Sequence, residues 1–304
     1  NPHFSSFYRI PAFITNGTIV ISVWPPMTWP RSGNALCFER GPNPWSDNSV
    51  FPEPLPPPPS YPNCTADVVI QTPYTVTIDR YHASRQCRSL TLSGGGTLYI
   101  EDPKSLTVTN NITIGQNAKL MLEPGANVTA DIFNLTGGTL QLGGGSAAGS
   151  LTINRPVNIA SGAIVPSAAT DQITLGGDLT LAQSGPPAVL TKSGAGLLLL
   201  RGSQTWAADA QIAVSFGALR FQLAADKSVS LAGGGRITIA TDAVVELAGE
   251  VSALSDGSHY IDVTNHSALP GLKVLPGAIQ ELGEIDGPGT TLIEAGATLS
   301  ASAI

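Results

Sequence analysis

The sequence predicts an all-β fold, a parallel β-helix preceded by an extended Pro-rich arm, and three observations carry that prediction. From Asp67 onward the chain consists of segments of about four residues alternating apolar and polar, recurring roughly every 6 to 10 residues, which is the all-β signal. Three such segments with their turns take roughly 20 to 25 residues, about one coil of a solenoid. Gly and Asn stand at the corners, where positive φ is needed. The competing architecture is one or more β-sandwich domains. That reading wants more aromatic core and hairpin dipeptides between the strands, and these are scarce, as at Asn16-Gly17 and Asp256-Gly257.

In chain order, residues 1–63 form the arm. They hold 14 of the 24 prolines and three of the four tryptophans, Trp24, Trp29 and Trp45, so the compositional boundary lies near residue 63. Within the arm, residues 13–23 (FITNGTIVISV) read as one β-branched strand closed by Pro25-Pro26. Residues 52–59 (PEPLPPPP) run as polyproline II and cannot enter a sheet interior. Residues 64–304 form the β-helix domain. Its segments begin with Thr75–Asp79 (TVTID), Ser89–Leu92 (SLTL), Thr97–Ile100 (TLYI), Ser105–Val108 (SLTV), Asn111–Ile114 (NITI) and Lys119–Leu122 (KLML). They continue through Thr139–Leu142, Ser150–Ile153, Gln172–Leu175, Arg236–Ile239 and Thr291–Ile293, with no interval long enough for a crossover helix.

Composition excludes several functions. Charged residues make up 12% of the chain, against about 25% in an ordinary soluble domain. With a net charge of −7 and 15 basic residues, no electrostatic footprint for nucleic acid or an anionic membrane surface is present. No run of about 18 apolar residues predicts a membrane span. The first residue is Asn1, which reads as a processed chain. Six Asn-X-Ser/Thr acceptors, at Asn16, Asn63, Asn111, Asn127, Asn134 and Asn265, point to an extracellular or cell-surface protein carrying glycans. Cys37, Cys64 and Cys87 lack metal-ligand spacing, so the expectation is one disulfide, Cys64–Cys87 first and Cys37–Cys64 close behind, and no metal or other cofactor.

Residues 190–221 (LTKSGAGLLLLRGSQTWAADAQIAVSFGALRF) resemble the repeat of autotransporter passengers, approximately L-x-K-x-G-x-G-T-L-x-L-x-G-x-N-T-[YW] followed by G-x-L-x-[VF]. Leu190, Lys192, Gly194, Gly196, Leu198, Leu200, Gly202, Thr205, Trp206, Gly217, Leu219 and Phe221 fit it. Leu197 stands where Thr is usual, and Gln204 where Asn is. Residues 282–304 (LGEIDGPGTTLIEAGATLSASAI) are similar to units of large exported bacterial surface proteins. The resemblance implies a right-handed β-helix at or outside the cell surface and leaves the function open, because such families include structural, adhesive and enzymatic members.

No catalytic constellation is expected. A polysaccharide-cleaving β-helix needs converging carboxylates, or a basic residue with calcium. Here Asp79, Glu101, Asp102 and Glu123 are the one modest concentration, and Asp286-Gly287 reads as a turn. His3, His82, His259 and His266 are scattered. Tyr8-Arg9-Ile10-Pro11 is similar to the Arg-Ile-Pro motif of sialidases, but the Asp boxes of that fold are missing. The Thr pairs Thr75/Thr77 and Thr107/Thr109 do not recur coil after coil, so an ice-binding type of array is not expected.

The expected function is therefore structural and non-enzymatic. The sequence reads as a homopolymer subunit, head-to-tail in a filament or surface layer, with Phe13, Ile14, Ile19, Val20, Ile21 and Val23 adding an inter-subunit strand to the neighbour by donor-strand pairing. The apolar alternation of Thr290–Ile304, without a charged cap, belongs to that expectation. The alternative reading is a carbohydrate-binding adhesin using Trp206, and the second alternative a polysaccharide-degrading enzyme.

Overall fold

The computed structural model describes residues 67–70, 75–78, 85–143, 147–182, 185–249 and 252–303, together with the backbone of the strands Ala12–Thr15 and Thr18–Ile21. The described chain is all-β: parallel strands stack as a β-solenoid of about 10 turns. Each coil visits three faces in turn. The first face starts with Asp67–Ile70, the second with Thr75–Ile78 and the third with Arg85–Cys87. Strands on the first face then begin at residues 89, 111, 132, 157, 179, 204 and 229, so that coils take 21 to 25 residues.

Alternation decides what each strand buries. In Ser89–Leu92, Thr97–Ile100 and Lys119–Leu122 every second residue is buried, because successive side chains leave a strand on opposite sides. In-register parallel pairing then stacks like positions. On the first face one inward column runs Ile70, Leu92, Ile114, Leu135, Ile159, Leu181, Trp206, Leu231. On the second face the column Val76, Leu98, Leu120, Leu140, Ile164 continues through Lys192 to Val214, Ile239 and Asn265. One continuous apolar core results. At about 1.5–3 kcal/mol for each fully buried Val, Leu or Ile, it is the main force holding the coils together.

Two strands are long. Ile132–Leu142 and Val157–Pro166 run from the first face into the second without an intervening turn, which joins both faces into one 19-stranded sheet. Glycine makes that bend feasible: a Cβ on Gly138 would lie 2.4 Å from Cγ2 of Ile114. The pairing register shifts at Thr136, Gly137 and Gly138, as a bulged corner requires. One coil departs from the pattern near residues 252–260. There the Asp256 carboxylate accepts from the backbone N–H groups of Ser258 and His259 within its own turn and from Leu231 of the coil before, which holds its pKa below the ordinary range.

The arm differs from expectation in two ways. Ala12–Thr15 and Thr18–Ile21 are two antiparallel strands, with Asn16-Gly17 between them, where one strand over residues 13–23 was predicted. Asn-Gly is the dipeptide that favours tight hairpin turns. The second strand then pairs in parallel with Asp67–Ile70 of its own chain, Ile19 opposite Val68 and Ile21 opposite Ile70. In this structure Ile19, Val20 and Ile21, expected to add to a neighbour, pair with the first coil of their own chain, and Phe13 and Ile14 pair with the second strand of the hairpin; Val23 lies outside the described residues.

Candidate functional site

Inside the solenoid, polar side chains occupy positions that sequence alternation assigns to aliphatics, and several hydrogen-bond to the backbone of an adjacent coil. Lys192 stands between Ile164 and Val214 in the inward column. It is 0% exposed, and its Nζ donates to the carbonyls of Gly194, 2.6 Å, and of Phe216 one coil on, 2.7 Å. Burial lowers its pKa from the ordinary 10.5 to about 8. Asp171 accepts from the N–H of Gly149, one coil back, and of Ala168, both at 2.8 Å. Asn265 donates to the carbonyl of Thr290 on the next coil and accepts from the N–H of Ser267, whose hydroxyl donates to the carbonyl of Thr241. Gln280 accepts from the N–H of Ala253 and donates to the carbonyl of Gly249. Each bond gives a buried polar side chain a partner.

Outside, the same register makes a ladder. Thr91, Thr113, Asn134, Asn158, Thr180, Thr205 and Ser230 occupy successive rungs of the first face, with Asn158 Nδ2 donating to Asn134 Oδ1 at 2.9 Å. On the second face Thr139, Ala163, Thr191, Ala213, Thr238 and Thr264 do the same. Single polar positions, Thr most often, therefore recur along the rod, while the pair Thr75/Thr77 meets Thr97 and Tyr99 on the next coil. Unequal coil lengths hide that repeat in the linear sequence. Where the two long strands bend between these faces lies an open groove of about 520 Å³, lined among others by Gln116, Asn117, Thr136, Thr139, Ser161 and Thr191.

The predicted site residues separate clearly. Asn127 is exposed, and Asn111 and Asn134 are half-buried. Asn265 is a correction: it is 1% exposed, its Nδ2 is committed to Thr290, and Gly271 and Gly289 crowd it closely, so a glycan cannot be attached there in the folded chain. Asn16 and Asn63 lie outside the described residues. Cys87, expected to pair with Cys64, is a free buried thiol on the third face, and burial pushes its pKa up to about 12; Cys64 and Cys37 lie outside the described residues.

Trp206, the aromatic on which sugar adhesion would rest, is 1% exposed and donates its Nε1–H to Gln204 in the core. A ring enclosed in this way cannot stack on a sugar. Glu123 is engaged structurally, accepting from the Tyr99 hydroxyl and the Asp102 N–H. Asp286 caps its own turn through the N–H of Gly287. His259 lies 3.6 Å from Asp256. Asp79, His3, His82 and the Arg9 motif fall outside the described residues. Asp67 binds Arg88 in a two-pronged ion pair and accepts from Ser89, and these contacts lower its carboxyl pKa to about 2. Among the described residues no group of three or more His, Cys, Asp or Glu side chains is arranged to hold a metal ion.

The inward placement of Lys192, Gln204 and Asn265 escaped sequence reasoning, because in short Gly-rich segments a polar residue reads as outward. The available signal was alternation within their own strands, since Lys192 shares the parity of Leu190, Gln204 that of Trp206 and Asn265 that of Ile261 and Val263. Comparison of the chain with protein-family models, curated proteins and solved structures found no match.

Proposed function

We propose that the chain is an extracellular structural protein, a stiff β-solenoid rod that associates with copies of itself at or outside the cell surface. The observation that carries this reading is the coil-to-coil stapling. Lys192, Asp171, Asn265, Ser267 and Gln280 each bond to the backbone of a coil 22 to 31 residues away. Polar chemistry buried in a solenoid is costly unless fully partnered. Spending it between coils resists local opening and shear, which a load-bearing rod needs and a simple scaffold for surface loops does not.

The parallel pairing of Thr18–Ile21 with Asp67–Ile70 supports a route to self-association. The 45 residues between these strands can span at most about 150 Å at ~3.3 Å per residue, so a hairpin can reach the same register on a neighbour by exchange. The exposed sequon at Asn127 supports the exterior location.

Negative-stain microscopy with light scattering over a concentration series tests the reading. Rods that lengthen with concentration are expected, and removal of residues 1–21 should stop that growth while leaving the β circular dichroism intact. Monodisperse rods of one length at every concentration would sink the self-association.

A further inference from the structure

We propose that the open groove across the two long strands binds a neutral glycan chain. Its shape comes from the missing turn. The coil before Ile132–Leu142 carries a turn at Gln116 and Asn117, and the coil after Val157–Pro166 is divided into the separate strands Leu179–Leu181 and Val189–Lys192, whereas the two long strands pass the bend unbroken. The result is a notch two coils wide, flanked by Gln116 and Asn117 on one side and by Val189 and Thr191 on the other. Four coils at ~4.8 Å each put the flanking coils about 14 Å apart, room for one extended chain laid across the rod.

The lining selects the ligand. Every side chain in it is uncharged. The hydroxyls of Thr136, Thr139, Ser161 and Thr191 and the amides of Gln116 and Asn117 offer donors and acceptors together, which is what a sugar hydroxyl, itself both, requires. A charged ligand would give up hydration with no opposite charge to compensate. An extended peptide is disfavoured for a different reason: the floor strands already pair with the coils on both sides, leaving no free edge for strand addition.

A source of such a chain stands beside the groove. Asn134 is two residues from Thr136 on the same strand, about 7 Å away, and Asn134-Leu135-Thr136 is a glycan acceptor. The bond to Asn158 uses Asn134 Oδ1 and not Nδ2, the atom a glycan would take. A sugar chain tethered there would face the notch at millimolar effective concentration, enough for a site without aromatic stacking. The same chemistry serves a free neutral polysaccharide.

The experiment has two arms, neither of which depends on whether the rods associate. In the first, cellohexaose, chitohexaose and mannohexaose are titrated into isotope-labelled, unglycosylated full chain, and amide shifts are followed. Saturable shifts confined to residues 116–117, 134–139, 158–163 and 189–191 are expected, weakened about tenfold by Ala163→Leu, which fills the notch, and several-fold by the near-isosteric Thr139→Val. In the second, chain secreted from a glycosylating host is compared with its Asn134→Gln variant. If the sugar is carried on Asn134, the same amides differ between the two and free hexasaccharide no longer binds; if Asn134 is bare, the free sugar binds both. Absence of groove shifts in both arms overturns the proposal, as does tighter binding there of an oligogalacturonate or an extended peptide.

Discussion

Lys192 offers the sharpest test of how the interior is built, because two opposing forces act on one amine. Enclosure in the inward column removes water from its charge, and two carbonyls at 2.6 and 2.7 Å restore part of what water supplied. Desolvation wins, holding the folded pKa at about 8 against 10.5 in the unfolded chain. The unfolded state therefore binds more protons between these values, so stability must rise with pH through this window. Below pH 8 the charged amine costs nearly the whole difference, about 3 kcal/mol from a difference of two to three tenfold steps. By pH 10 roughly 1 kcal/mol remains, and the gain from pH 7 to 10 is about 2 to 3 kcal/mol. Urea unfolding of wild type and Lys192→Met at pH 7, 8, 9 and 10 isolates it, since other titrating groups cancel in the difference. Met is chosen because it continues the column between Ile164 and Val214. A wild-type minus variant difference that is flat with pH would refute the reasoning and show that the two carbonyl bonds keep the ammonium at its ordinary pKa, and one that falls would show that they raise it.

Three further outcomes are expected. Trp206→Ala should destabilise by about 3–5 kcal/mol in chemical denaturation, because the ring is enclosed in the core, and should leave any glycan binding unchanged under conditions where the variant is folded. Mass spectrometry of chain secreted from a glycosylating host should find Asn265 unmodified in folded protein even where Asn127 is occupied; a glycan at Asn265 would show that this corner opens. The Cys87 thiol, buried and with its pKa raised to about 12, should react with iodoacetamide at pH 8 only as fast as the chain opens locally, and a rate near that of a free thiol would contradict its placement.

The β-helix class was legible because alternation is a local property: Ser89–Leu92 or Lys119–Leu122 declares its inward side without knowledge of its partners. Which strand lies on which face was not legible, since that depends on coil length, and coils of 21 to 25 residues drift out of any fixed period. Hence the Thr and Asn ladder of the first face was missed although each of its residues was in view. The long strands were missed for a related reason. Gly137-Gly138 reads as a turn, yet in Ile132–Leu142 it lets the strand continue around a corner. The hairpin in the arm was visible in Asn16-Gly17, but the β-branched residues on either side argued for one strand, and turn chemistry prevailed. Trp206 shows how residue type misleads: among short segments a lone Trp suggests a contact surface, while its register places it between Leu181 and Leu231 in the core.

Inside and outside carry different kinds of information. Lys192, Asp171 and Asn265 sit inward where a carbonyl or N–H of a neighbouring coil meets them, so they are tied to the local backbone and their exchange removes those bonds. Outward positions pay no such penalty. The rungs of the Thr and Asn ladder are free to vary, and a new outward side chain meets solvent or its rung neighbours alone. Any recognition the rod performs must then be written on its outer faces, and it is most sharply shaped where the row of turns is interrupted, at the bend of Ile132–Leu142 and Val157–Pro166. Stiffness and specificity are for that reason separable in this fold: substitutions in the notch should alter binding at constant stability, and substitutions of the staples should lower stability without altering what the notch selects.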